Sequence, residues 1–276
     1  MKFLQSRSLN SNGAFIKLFL FTALIGLLSS CKDDTEPLPA DSSENVQQKC
    51  FKVSTDVTMD GQDLGTTTYR YNAQDLIEVE IAMDAGQNIS DSTHYTYNDQ
   101  GKLVRRYSVN YANGFVQVQD ISYDKDGYEL ENELVANGMI LTHTVYFRRA
   151  DHELDSVHLT TYGSLRRLYY SHADGKVSEI KEYDVRGQYL QKRVFEYAGN
   201  KTTIRVVDAS GQETGRTELL ADDKGREVEW RSYGPTGDMT ISKFTEYDEN
   251  GNIVRVENEY VGHGKYVYTT AWSCES

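Results

Sequence analysis

The densest grouping of proton- and metal-handling side chains is Asp151-His152-Glu153, followed closely by Asp155 and His158. Imidazole nitrogens and carboxylate oxygens are zinc ligands, and the same groups exchange protons as a general acid–base pair. In a chain of hairpins they could converge on one loop face. The six histidines are His94, His143, His152, His158, His172 and His263, and no two stand four apart as in a helical metalloprotease motif. Ordinary polar loop residues explain the group more simply, so neither a metal site nor a cofactor is expected. Asp124 and Asp126 before Gly127 imitate the start of a calcium loop but lack the further oxygen ligands and the distant bidentate glutamate. The pattern Gly-x-Ser-x-Gly is absent, as is a phosphate-binding glycine loop. No catalytic residue is therefore assigned. Two aromatic–basic clusters suit an extended ligand such as a glycan: Trp230 with Arg231 and Tyr233, and Arg166-Arg167-Leu168-Tyr169-Tyr170. The competing explanation, cross-strand packing pairs, is the favoured one for both.

The N-terminus gives an address. Lys2, Arg7 and Lys17 form a basic flank, Leu18 to Leu28 is apolar, and Ser29 and Ser30 precede Cys31. This basic–apolar–small order is that of a secretory signal, and the apolar run is too short for a confident membrane span. Leu28-Ser29-Ser30-Cys31 looks like a bacterial lipobox, which implies that residues 1–30 are a signal peptide and that Cys31 is acylated. Residues 31–49 then form a disordered tether of Asp, Ser, Glu, Pro and Gln with almost nothing to bury. The chain has 29 basic and 42 acidic side chains, and loss of the signal removes only basic ones. That balance excludes nucleic acid as a partner and leaves the acyl chains, not electrostatics, as the grip on the membrane.

Positioning anything on this chain falls to hairpins. From residue 50 to 276, short segments rich in Tyr, Val, Ile and Thr are cut every 11–15 residues by a polar cluster closed by glycine. The clearest cuts are Asn98 to Gly101, Asp124 to Gly127, Asp184 to Gly187, Asp222 to Gly225 and Asp248 to Gly251. Asp or Asn at the first position of a type I turn accepts hydrogen bonds from the following backbone, and glycine at the fourth enters the left-handed region. The rungs between turns are 7–9 residues, too short for the helical crossover that parallel strands need. The expectation is an all-β, antiparallel up-and-down meander of about 14–16 strands, curled or closed into a water-soluble barrel, because so long a sheet cannot stay flat. The 20 tyrosines are expected to form a stacked ladder across neighbouring strands. The register between 140 and 170 is left open, because Tyr146 to His152 lacks the glycine.

Cys50 and Cys274 stand at the two ends of this region, in a compartment that permits disulfides. A bond between them would tie the first strand to the last; two buried free thiols are the alternative. Tyr183-Asp184-x-x-Gly187 and Tyr247-Asp248-x-x-Gly251 resemble the YD repeats of RHS-type surface and toxin-shell proteins. Lys32-Asp33-Asp34 resembles the acidic export signal of surface lipoproteins in the Bacteroidetes. Lipobox, export signal and Tyr-rich meander together resemble an uncharacterised Bacteroidetes lipoprotein family with a porin-like fold. The resemblance implies a lipid-anchored outer-membrane protein displayed on the cell surface. The function expected is non-catalytic binding of a glycan or other extracellular ligand. A structural or adaptor subunit bound to an outer-membrane protein, or a glycan-active hydrolase, are the alternatives.

Overall fold

The computed structural model describes residues 49–274. Cys31, the Lys32-Asp33-Asp34 signal, the leader and most of the tether lie outside the described residues. Eighteen strands follow in chain order: β1 (Cys50–Met59), β2 (Gln62–Tyr71), β3 (Ile77–Asp84), β4 (Ile89–Tyr97), β5 (Leu103–Asn110), β6 (Phe115–Tyr123), β7 (Glu129–Ala136), β8 (Met139–Arg148), β9 (Leu154–Thr161), β10 (Ser164–Ala173), β11 (Lys176–Asp184), β12 (Tyr189–Ala198), β13 (Lys201–Asp208), β14 (Glu213–Ala221), β15 (Glu227–Tyr233), β16 (Met239–Tyr247), β17 (Ile253–Tyr260) and β18 (Gly264–Cys274). Each pairs antiparallel with its sequence neighbours, and β1 pairs with β18, so the meander closes into a barrel without edges. The seam is covalent, since Cys50 and Cys274 are cross-strand partners joined by a disulfide.

The strand number exceeds the expected 14–16. Glycine is a sufficient but not a necessary marker of these turns. Asp75, Gln87 and His152 take the left-handed conformation at φ of 62, 65 and 67° in turns that glycine counting passes over. Other reversals need only two residues, as at Asn137-Gly138 and Tyr162-Gly163. The open register is settled as well: Tyr146 pairs with Val157, and Val157 with Leu168.

The four-residue turns are built alike. Asp124 Oδ1 accepts the N–H of Asp126 at 3.0 Å and of Tyr128 at 2.9 Å, while Gly127 N–H donates to the Asp124 carbonyl. Asn98, Asp184, Asp208 and Asp222 repeat this pair of side-chain bonds. Gly187 at φ 80° has the open space and left-handed backbone that the fourth position requires. A bulge falls at the residue before the turn, for instance at Tyr97, Tyr123 and Tyr247.

Tyrosines beside the rim turns have a specific job. Tyr97, Tyr123, Tyr197 and Tyr247 each donate their hydroxyl to the carbonyl 20 residues earlier, on Ile77, Leu103, Val177 and Glu227. Tyr71 does the same to Lys52, and the Trp272 indole to Ile253. Each bond bridges the open end of a hairpin, and all fall on the rim that also carries Cys50 and Cys274. Five of the 20 tyrosines therefore serve as latches. Ring pairs such as Tyr169–Tyr183 and Tyr260–Tyr266 are edge-on rather than a stacked ladder.

Most of the buried apolar side chains share one face. Tyr146, Val157, Leu168, Ile180, Phe195, Ile204 and Trp230 are buried and fall on one face when register is followed around the sheet. Side chains converge on the concave side of a closed sheet, so this is the lumenal face. The outer face carries cross-strand ion pairs, including Arg105–Asp120 at 3.1 Å, Lys192–Glu179 at 2.8 Å and Lys201–Glu218 at 3.0 Å.

Candidate functional site

Six hairpin ends on this rim are latched; the three that are not have Arg148, Ala173 and Ala221 before the turn, and the Arg148 end also rearranges its turn. In the regular copy, the residue after the turn glycine is a cation that lies over the next latch tyrosine. Lys102 lies over Tyr123 with its ammonium 5.2 Å from the ring centroid, and Arg226 over Tyr247 at 4.3 Å. Between the β6–β7 and β8–β9 turns the roles are exchanged. Tyr128 follows Gly127, and Arg148 takes the bulged latch position, its guanidinium 4.9 Å from the Tyr128 centroid. Arg149 stands where other turns have Asp, and His152 where they have glycine, stacked on Tyr128 at 4.9 Å.

An arginine cannot place a hydroxyl on the neighbouring strand's carbonyl, so this hairpin end is not latched in the same way. A cavity of about 500 Å³ opens there, lined by Asp124, Glu129, Tyr146, Arg148, Arg149 and His152 among others. That volume lies within the range of small-molecule pockets. Arg148 donates to the His152 carbonyl at 3.3 Å, yet its Nε is buried with no partner in the structure. Burial raises the Glu129 carboxyl above its usual range, against the pull of Asn132 and Arg148. Asp124 is held low: burial works against this, but the N–H groups of Tyr128, Asp126 and Gly127 and the Arg148 charge outweigh it. Burial raises Tyr146, and it pushes Tyr170, on the same lumenal face and within reach of Arg193 and Arg148, up to about 12.

The carboxylates here are committed to structure. Asp124 holds its turn, Glu129 accepts from Asn132 at 2.7 Å, and Asp126 pairs with Lys125 at 3.3 Å. Glu153 pairs with Arg149 and lies 3.6 Å from His172. No group of three or more His, Cys, Asp or Glu suited to a metal ion occurs among the described residues.

Period-two geometry splits the aromatic clusters read from the sequence. Trp230 is buried on the lumenal face, whereas Arg231 and Tyr233 point outward, Arg231 onto Glu229 and Tyr233 toward Glu218 at 3.3 Å. Tyr170 faces the lumen and Tyr169 the exterior. His152 and Glu153 reach the cavity turn, while His158 lies on the outer face against Phe147 at 4.7 Å. Arg148 was not singled out by sequence reasoning. Its signal was present as the irregular copy Arg148-Arg149-Ala150-Asp151-His152.

No family model matches the chain, and no curated protein matches it. Among solved structures it is similar to a porin-like protein from Bacteroides uniformis, at 9% identity and a TM-score of 0.43, over 81% of this chain and 96% of that one. A porin-like protein from Bacteroides vulgatus is similar at 11% identity and a TM-score of 0.34, over 79% and 98%. TcdB2-TccC3 without its hypervariable C-terminal region is similar at 14% identity and a TM-score of 0.39; 75% of this chain aligns, spanning 12% of that one.

Proposed function

We propose that the protein is a non-catalytic, lipid-tethered barrel of the outer membrane that captures a glycan in the cavity at its rim. The observation that carries this is the cavity of about 500 Å³ at the Arg148 turn, to whose lining Arg148 brings a buried Nε without a partner. Sugar hydroxyls both donate and accept. A lining that alternates Asp124, Glu129, Arg148 and Arg149 offers acceptors and donors side by side without favouring a net charge. The structural commitments of the carboxylates favour binding over hydrolysis. Charged pairs on the outer face favour a water-exposed barrel, since a lipid-facing band is apolar. Attachment then rests on Cys31, and Lys32-Asp33-Asp34 supports display on the cell surface.

The test is a glycan array probed with full-length protein in detergent, beside Arg148→Tyr, which places there the residue that Tyr97, Tyr123 and Tyr247 supply before their turns. Retained neutral oligosaccharides, too short to span several strands, are expected to lose at least tenfold in affinity in the variant while its melting temperature is kept. Unchanged affinity would refute the cavity as the site. Turnover of a retained glycan by wild-type protein, abolished by Glu129→Gln, would make the protein a hydrolase instead.

A further inference from the structure

We infer that the outer face of β8–β12 is a second binding surface, a platform for an extended polysaccharide that bears carboxylates. Five adjacent strands contribute. Phe147 and His158 pack at 4.7 Å, and Tyr169, Tyr183 and Tyr189 follow as edge-on neighbours, each 5.6 Å from the next. Phe147 is 41% and Tyr169 44% exposed, and His158, Tyr183 and Tyr189 are half-buried. Four interstrand steps make the run roughly 20 Å long, enough for several sugar rings.

Arg167 gives the platform its charge preference. It is the cross-strand partner of both His158 and Tyr183, which places it in the middle of the aromatic run. Outer-face arginines such as Arg105, Arg205 and Arg231 are paired with Asp120, Glu196 and Glu229. Arg167 has no ion pair or hydrogen bond among the described residues. Lys181, beside Tyr169, adds a second cation, already paired with Glu179 at 3.1 Å. Aromatic faces suit the C–H faces of sugar rings, and an unpaired guanidinium suits a carboxylate, to which it can bond through two parallel N–H groups. A protein partner is a poorer fit, because Ser156 and Lys181 interrupt the rings and no contiguous apolar patch results.

This surface is separate from the rim cavity, and its test keeps the two apart. Full-length protein in detergent is titrated with polygalacturonate, alginate and hyaluronan, with their carboxyl-reduced forms, and with polyglutamate. Wild type is expected to bind at least one carboxylated glycan at least tenfold more tightly than its reduced form and than polyglutamate. Tyr169→Ala should lower affinity for both forms of that glycan at least tenfold. Arg167→Gln should lower affinity only for the carboxylated form, and Arg148→Tyr should leave both unchanged. Both platform residues face solvent, so unchanged melting temperatures will confirm folded variants. The proposal fails if no carboxylated glycan binds, if polyglutamate binds as well, or if Arg167→Gln has no effect. A loss confined to Arg148→Tyr would move the polymer to the rim and overturn the platform alone.

Discussion

At the scale of single residues, the latch tyrosine of the rim is the most economical device in the molecule. The rings of Tyr123, Tyr197 and Tyr247 pack beneath a neighbouring cation, and the hydroxyl bridges the open hairpin end that the backbone ladder leaves exposed. Tyr247 shows both contacts, with Arg226 at 4.3 Å from the ring centroid and the Glu227 carbonyl at 2.9 Å. Tyr247→Phe keeps the ring and removes one hydrogen bond, which is expected to cost about 1 kcal/mol in urea-induced unfolding. A variant as stable as the parent would mean that the hydroxyl is equally well served by water. The same logic explains why Arg148 stands out. At its turn a side chain that cannot latch borders an open pocket.

Between residue and fold stands the hairpin turn, whose opening carboxylate does more than terminate a strand. Asp208 and Asp248 are held below the usual aspartate range. For Asp208 the Ser210 hydroxyl leads and the turn N–H groups add to it; for Asp248 burial opposes, and the bonds from Asn252, Asn250 and Gly251 prevail. A carboxyl whose folded pKa is depressed contributes stability above its unfolded value and loses it as pH falls through the folded one. The melting temperature should therefore hold near neutrality and fall once pH drops below about 3.8, the ordinary value for aspartate. Asp248→Asn keeps an acceptor without the charge and should flatten that acid limb in thermal melts across pH. An unaltered limb in the variant would assign acid lability elsewhere. These turns are also where sequence was most legible. Asp or Asn followed three residues on by glycine marked the reversals at residues 98, 124, 184, 222 and 248, because both residue types are required by local backbone geometry. What stayed hidden depends on partners distant in the chain. Asn72 to Asp75 and Arg149 to His152 make the same turn without glycine, so the strand number was undercounted. The hydroxyl latch spans 20 residues and becomes visible only once register is known. Arg148 could be recognised as a replaced latch only after its turn was, and Tyr169 and Tyr170 could be assigned to opposite faces only after strand closure defined an inside.

For the whole molecule the decisive feature is closure. Every strand has two neighbours, so no edge is left to template aggregation, and stability is spread around the ring. The seam between β1 and β18 has a full ladder and also the Cys50–Cys274 bond, which spans 224 residues of sequence. Loop-closure entropy assigns such a link about 5 kcal/mol at most in its idealised form. Replacing both cysteines with serine should lower the melting temperature and concentrate the extra amide exchange at Ser54–Met59 and Tyr266–Thr270, the two sides of the seam. Exchange that rises uniformly around the ring would show that closure is held by the ladders alone.

Because an even number of strands closes the ring, both covalently joined ends sit side by side on one rim. The polypeptide is in effect a circle with an arbitrary start. A gene rearranged to join the old ends through a short peptide, with new ones opened at Asn137-Gly138 on the far rim, should still encode a folded barrel. Given the tether proposed at Cys31, such a circular permutant would move the point of attachment to the opposite mouth, and so reverse which opening is presented outward.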